Sequence, residues 1–171
     1  MAYADLVTIQ ATDPGDILTA AWCDQVRDND EFLIDPPACS ISDVAQSVSN
    51  NTTTTLGGTA TESFDNDSMH SNVSNRSRIT AQTAGRYLLI SSVAFTANPT
   101  GFRRSSFLVD GTTAIGGMTI EPDDGVANLR LTSARAVVLS AGQYVEVTCL
   151  HTGGFAIDCT LDEFVAIFLT R

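Results

Sequence analysis

The sequence predicts an all-β fold, a jelly-roll β-sandwich preceded by a short N-terminal α-helical segment. Three observations predict it. After Pro37 the chain becomes a series of short runs rich in Val, Ile, Thr, Phe and Tyr, separated by Gly, Asn, Asp and Pro. Upstream of Pro37 the apolar residues instead recur at spacings of three, four and seven. The run of strands contains no second helical pattern, so eight or nine strands must cover one another as two packed sheets. The reading divides the chain into residues 1–37, a helical segment with a Pro-Pro linker, and residues 38–171, the sandwich.

The helix is expected over residues 14–34, PGDILTAAWCDQVRDNDEFLI. Asp13 suits the N-cap, Pro14 the first helical position and Asp16 the capping partner. Ile17, Leu18, Ala21, Trp22, Val26, Phe32 and Leu33 form one apolar face, and Asp35-Pro36-Pro37 ends the helix. Leu18, Trp22, Gln25, Asn29 and Phe32 also fit a short heptad-like row. Such a face requires cover, either from its own domain or from other subunits.

Strands are expected near 39–48, 52–64, 77–81, 85–97, 103–110, 112–120, 128–138, 143–151 and 162–170. Asp110-Gly111 reads as a tight hairpin turn, and Gly153-Gly154 as a second turn. The threonine run at 51–55 reads as a solvated edge strand rather than as disorder. The final strand, FVAIFL over 164–169, is apolar on both faces. It belongs in the middle of a sheet or against a second packed surface.

Composition narrows the function. The net charge is −11, and all nine basic residues are arginine. No positive footprint for a phosphate backbone is expected, so nucleic acid is not a predicted partner. No apolar run approaches the length of a membrane span, so no membrane insertion is expected. The first residues lack a basic region followed by an apolar stretch, so no secretory signal is expected. Cys23, Cys39, Cys149 and Cys159 show no C-x-x-C spacing. Cys149 and Cys159 flank the Gly153-Gly154 turn symmetrically, either facing each other across a hairpin or lying as small buried thiols in strands; the second is the reading adopted.

Asp65, Asp67 and His70 form the sharpest polar constellation. Asp-x-Asp opens a calcium-loop pattern, but the glycine and glutamate that complete it do not follow. A polar inter-strand loop explains the same residues. Arg103-Arg104 reads as a solvated strand start and His151 as a loop residue. No catalytic residue, metal ligand or cofactor site is assigned.

The order of these motifs carries a resemblance. Phe64-Asp65-Asn66-Asp67-Ser68-Met69-His70, then Arg78-Ile79-Thr80, then Ala84-Gly85-Arg86-Tyr87 resembles the jelly-roll domains of the tumour-necrosis-factor and complement-globular-head class. It is most similar to versions in tailed-bacteriophage virion proteins. Leu108-Val109-Asp110-Gly111-Thr112-Thr113 and Leu139-Ser140-Ala141-Gly142-Gln143-Tyr144 fit the same pattern. Thr19-Ala20-Ala21-Trp22 followed by Val26-Arg27-Asp28-Asn29 looks like the start of many phage structural proteins, with Asp24-Gln25 departing from the usual asparagine.

The resemblance implies a homotrimer around a threefold axis, with Tyr87, Phe164, Ile167 and Phe168 at the interface. It implies that Leu18, Trp22, Val26, Arg27, Asp28, Asn29 and Phe32 form an attachment or trimer-base element. The expected function is that of a non-enzymatic phage virion structural protein, a trimeric capsid decoration protein. Its partners would be the major capsid protein or other virion proteins. Its place would be the virion surface, after assembly in the host bacterial cytoplasm. The alternative is a minor tail or fibre-tip protein that binds a host cell-surface glycan or protein through loops 98–104, 121–127 and 151–158.

Overall fold

The change of period at Asp35-Pro36-Pro37 is where helix gives way to sheet. A computed structural model describes residues 20–120 and 127–170. The expected helix start (Asp13, Pro14, Asp16) and Leu18 lie outside the described residues. Helix α1 spans Ala20–Ile34. Its covered row is Trp22, Gln25, Asn29 and Phe32, with Asn29 and Phe32 buried. Val26, expected on the apolar face, is exposed instead. At 100° per residue it sits roughly 80° from the centre of that row, at the edge of the helix's covered side. Arg27 is exposed and pairs with Asp24 at 3.0 Å, Asp28 at 3.2 Å and Glu31 at 3.9 Å. Such solvated pairs contribute little.

Eleven strands follow among the described residues. They are β1 (Ala38–Ser42), β2 (Gln46–Val48), β3 (Thr54–Thr55), β4 (Thr61–Asp65), β5 (Ile79–Thr80) and β6 (Gly85–Phe95), then β7 (Arg103–Val109), β8 (Thr113–Ile120), β9 (Leu129–Leu139), β10 (Tyr144–His151) and β11 (Ile157–Thr170). The larger sheet has the order β4-β1-β11-β6-β9, with β2 paired to the start of β11. The smaller has the order β3-β10-β7-β8, with β5 also paired to β10. All pairings are antiparallel, and the two sheets face each other as a jelly-roll sandwich.

Several sequence expectations need correction. The strand expected over 39–48 breaks at Asp43, whose carboxylate accepts the N–H groups of Val44 and Thr59 and the Thr59 hydroxyl. The stretch 52–64 splits into β3 and β4 around a turn closed by the Ala60 N–H donating to the Gly57 carbonyl. The last strand begins five residues earlier than expected. A bulge between Leu161 and Glu163 resets its parity, so 157, 159 and 161 point inward before it and 164, 166 and 168 after it. The alternation is therefore broken in the sequence although the strand is continuous.

Other expectations hold. Asp110 and Gly111 both have positive φ, 49° and 68°, and the Thr112 N–H closes the turn on the Val109 carbonyl. Thr54 and Thr55 are a solvated edge strand against Thr148 and Cys149. Residues 164–169 lie in the middle of a sheet, with β1 on one side and β6 on the other. The Gly153-Gly154 turn, however, closes no hairpin, because β10 and β11 belong to opposite sheets.

The core lies between the sheets. Phe107 and Phe164 meet across it with ring centroids 5.9 Å apart. At one end Phe168 packs edge-on against Tyr87 at 5.5 Å and against Phe32 of α1 at 5.1 Å. Full burial of one such ring stabilises by about 1.5–3 kcal/mol. Phe32 thereby ties the last turns of α1 to the sandwich, so the segment ending at residue 37 is not independent of the domain after it.

Candidate functional site

The Asp65–His70 constellation is a structural knot. Asp65 ends β4, and its Oδ1 accepts the N–H groups of Asp67 at 3.2 Å and Met69 at 3.0 Å. Its Oδ2 accepts the N–H of His70 at 2.8 Å. Asn66 accepts the Ala38 N–H at 2.6 Å and donates to Asp35 and the Pro36 carbonyl. It thus clamps the junction between α1 and β1. Met69 is buried in the core, and its carbonyl accepts the Thr80 N–H at 2.7 Å.

His70 Nε2 donates to the Arg76 carbonyl at 2.8 Å. Its Nδ1 stands 3.7 Å from Glu62 Oε1, beyond a hydrogen bond, and Asn72 donates to that same carboxylate oxygen. The side chains that chemistry would need are therefore turned to holding the segment between β4 and β5. Two open clefts of about 300 and 330 Å³ flank the knot. The first lies beside Phe32, Asp35 and Asn66; the second lies beside His70, Arg78 and Tyr144. Among the described residues no three metal-ligating side chains gather in one place.

Two further readings change. Arg103 is not a solvated strand start. It is buried, and its guanidinium donates to the carbonyls of Asn98, Thr100 and Phe102 at 2.9–3.0 Å. His151 is not a loop residue either. It is fully buried at the end of β10, donating from Nε2 to the Val48 carbonyl and accepting the Gly153 N–H at Nδ1. Both pin the loops at one end of the sandwich. There the Thr152 hydroxyl accepts the Phe102 N–H, and a Cβ on Gly101 would lie 2.1 Å from the Thr152 carbonyl oxygen. Only glycine fits that approach, and its φ of 72° agrees.

The residues expected at a trimer interface divide by strand parity. Tyr87, Phe164 and Phe168 point into the chain's own core, where the Tyr87 hydroxyl donates to the Thr83 carbonyl at 2.6 Å. A side chain already buried in one chain has no surface left to offer another. Ile167 faces outward, and its neighbours there are the residues that sequence reading missed.

On the outer face of the larger sheet, Ile167 pairs with Ala38 and Leu88, and Leu88 with Ala136. In the next outward rung Val165 pairs with Ser40 and Ile90, and Ile90 with Ala134. Phe64, half exposed, extends this rung from β4. Val138 and Leu169 add exposed aliphatic surface at one end. Near the other end Arg130 and Asp162 form an ion pair at 2.8 Å. The period-two rule carried the signal: once Leu89 and Ala166 are taken as inward, Leu88, Ile90, Val165 and Ile167 must be outward.

No family model matches the chain, and no curated protein matches it. Solved structures do. Murine APRIL at pH 8.0 superposes with a TM-score of 0.59 at 14% identity, covering 78% of this chain and 98% of that one. The Eiger TNF from S. frugiperda gives 0.57 at 11% identity, covering 79% and 94%. The globular domain of zebrafish complement 1qA protein gives 0.55 at 12% identity, covering 79% and 98%. The chain thus has the jelly-roll fold of the tumour-necrosis-factor and complement 1q globular domains.

Proposed function

We propose that the protein is a non-enzymatic structural module that acts as a homotrimer on the surface of a phage virion, as a capsid decoration protein. One observation carries the self-association: the outer face of the larger sheet presents aliphatic rungs from four neighbouring strands. Covering such a face is favourable at roughly 25 cal/mol per Å² of apolar surface. The fold supports the trimer as a mode of assembly. The use of Asp65 and His70 in backbone hydrogen bonds supports an adhesive rather than a chemical role. The virion assignment rests on the resemblance of residues 19–29 and 64–88 to phage structural proteins. Attachment to the shell is assigned to the N-terminal segment, with three copies adding avidity.

A specific arrangement favours a second reading. Loops 98–102 and 152–156 are joined at one end of the sandwich through Asn98 to Gly153 and Phe102 to Thr152, and Phe155 projects there into solvent. Residues 121–126 of the third expected loop lie outside the described residues. This end would be the receptor-binding tip of a tail or fibre protein. Quantitative mass spectrometry of purified particles separates the readings. A decoration protein is present in fixed ratio to the major shell subunit, and a tip protein in a few copies per particle. Absence from particles overturns both.

A further inference from the structure

The buried cysteines form a group that the adhesive role does not use. Cys149 lies two residues before the end of β10, and Cys159 two residues after the start of β11. These strands belong to opposite sheets, and only residues 152–156 connect them. The chain crosses between the sheets at this end, so the two positions mirror each other about the crossing. Both side chains point into the core, 1% and 0% exposed. The neighbouring Cys159 sulfur, with burial, pushes the Cys149 thiol upward and holds its proton.

A third member stands beside them. Arg103 is buried opposite His151 in the sheet register, with its donors spent on backbone carbonyls. Burial pulls its guanidinium down, and the neighbouring Cys159 pushes it back up. Two-sheet sandwiches tolerate a bridge between their sheets, as antibody domains show.

We propose that Cys149 and Cys159 are a redox pair that closes to an inter-sheet disulfide when the protein meets a small-molecule disulfide such as oxidised glutathione. Cys159 gives up its proton to solvent and attacks one sulfur of the oxidant, and one glutathione leaves and takes up a proton. Cys149 then gives up its proton and attacks Cys159, and the second glutathione leaves. Two cysteine thiols lose two electrons and two protons, and one glutathione disulfide becomes two thiols. The oxidant reaches the pair when loop 152–156, exposed over residues 154–156, opens. The closed bond staples the end of the sandwich that carries loops 98–102 and 152–156.

The wild-type chain suffices for the test. It is incubated with oxidised glutathione, unfolded in an alkylating agent and digested with trypsin without reduction. With no lysine present, cleavage after arginine leaves Cys23, Cys39 and the Cys149–Cys159 pair in three separate peptides. The expected result is an unalkylated peptide 136–171 that is two hydrogens lighter, with Cys23 and Cys39 alkylated. A melting temperature higher by roughly 5–10 °C, reversed by a reducing agent, accompanies it. Alkylation of all four cysteines, or a bridge that involves Cys23 or Cys39, overturns the proposal.

Discussion

The outer faces of the two sheets obey the same alternation and differ in chemistry and in degree of burial. On the smaller sheet the outward positions of β10 are Tyr144, Glu146, Thr148 and Leu150, of which the last three are buried. The segment before β5 covers Glu146. Ser77 and Arg78 donate to Glu146 Oε1 at 2.7 and 3.3 Å, and the Leu56 N–H donates to the Val147 carbonyl at 2.9 Å. Arg78 also lies over the Tyr144 ring at 3.9 Å. On the larger sheet the outward positions of β6, β9 and β11 include Leu88, Ile90, Ala134, Ala136, Val165 and Ile167; the two alanines are exposed, Leu88, Ile90 and Ile167 are half-buried, and Val165 is buried. A polar face covered by its own chain is complete. An aliphatic face that keeps partial exposure is the surface proposed to meet another copy.

Substitutions can break this contrast at graded cost. The largest effect is expected on the inward side of β11. Phe168→Ala removes a ring that touches both Phe32 and Tyr87, and should cost about 3–5 kcal/mol in a denaturant titration. Next comes the knot between the sheets. Asp65→Ala leaves three backbone N–H groups without their acceptor and should cost about 2–4 kcal/mol, read as a fall in melting temperature. Weaker again is the covered face: Glu146→Ala releases Ser77 and Arg78 and should cost about 1–3 kcal/mol. Hydrogen exchange should then rise over residues 71–78, while β6 and β9 stay protected.

An effect that vanishes at neutral pH is a pH dependence. Burial, with Asp65 and Glu62 adding to it, pushes the Cys39 thiol up to about 12. Burial, with Asp67 adding and the hydrogen bond to Thr83 opposing, pushes the Tyr87 hydroxyl up to about 12. Both groups ionise less readily folded than unfolded. Their contribution is therefore intact below the ordinary thiol and phenol values of 9.0 and 10.0. It is lost as the pH climbs from there toward 12. Equilibrium unfolding should show stability falling across that window, and Tyr87→Phe should flatten the fall.

Much of the fold was legible because local chemistry and global fold agree. Asp110-Gly111 supplies the positive φ values its turn needs, Pro36-Pro37 stops the helix, and the doubly apolar run at 164–169 takes a central strand. The candidate site was less legible. Tyr87, Phe164 and Phe168 are as apolar as the true outward residues, and hydrophobicity alone does not say which face a side chain takes. Parity says it, and the bulge at Leu161–Glu163 interrupts parity in the strand where it was needed. Arg103 and His151 were misread for another reason. His151 depends on a carbonyl brought in from residue 48, and Arg103 on the way loop 98–102 folds back over it, which the residue pattern does not reveal.

The outer face of the larger sheet is proposed to join copies of the chain. Sedimentation equilibrium on the full chain and on Ile90→Arg tests it most directly. The account predicts a species of three times the 18.1 kDa chain mass for the wild type and a folded monomer, by circular dichroism, for the variant. A wild-type monomer at micromolar concentrations, or an Ile90→Arg chain that still assembles, would contradict it.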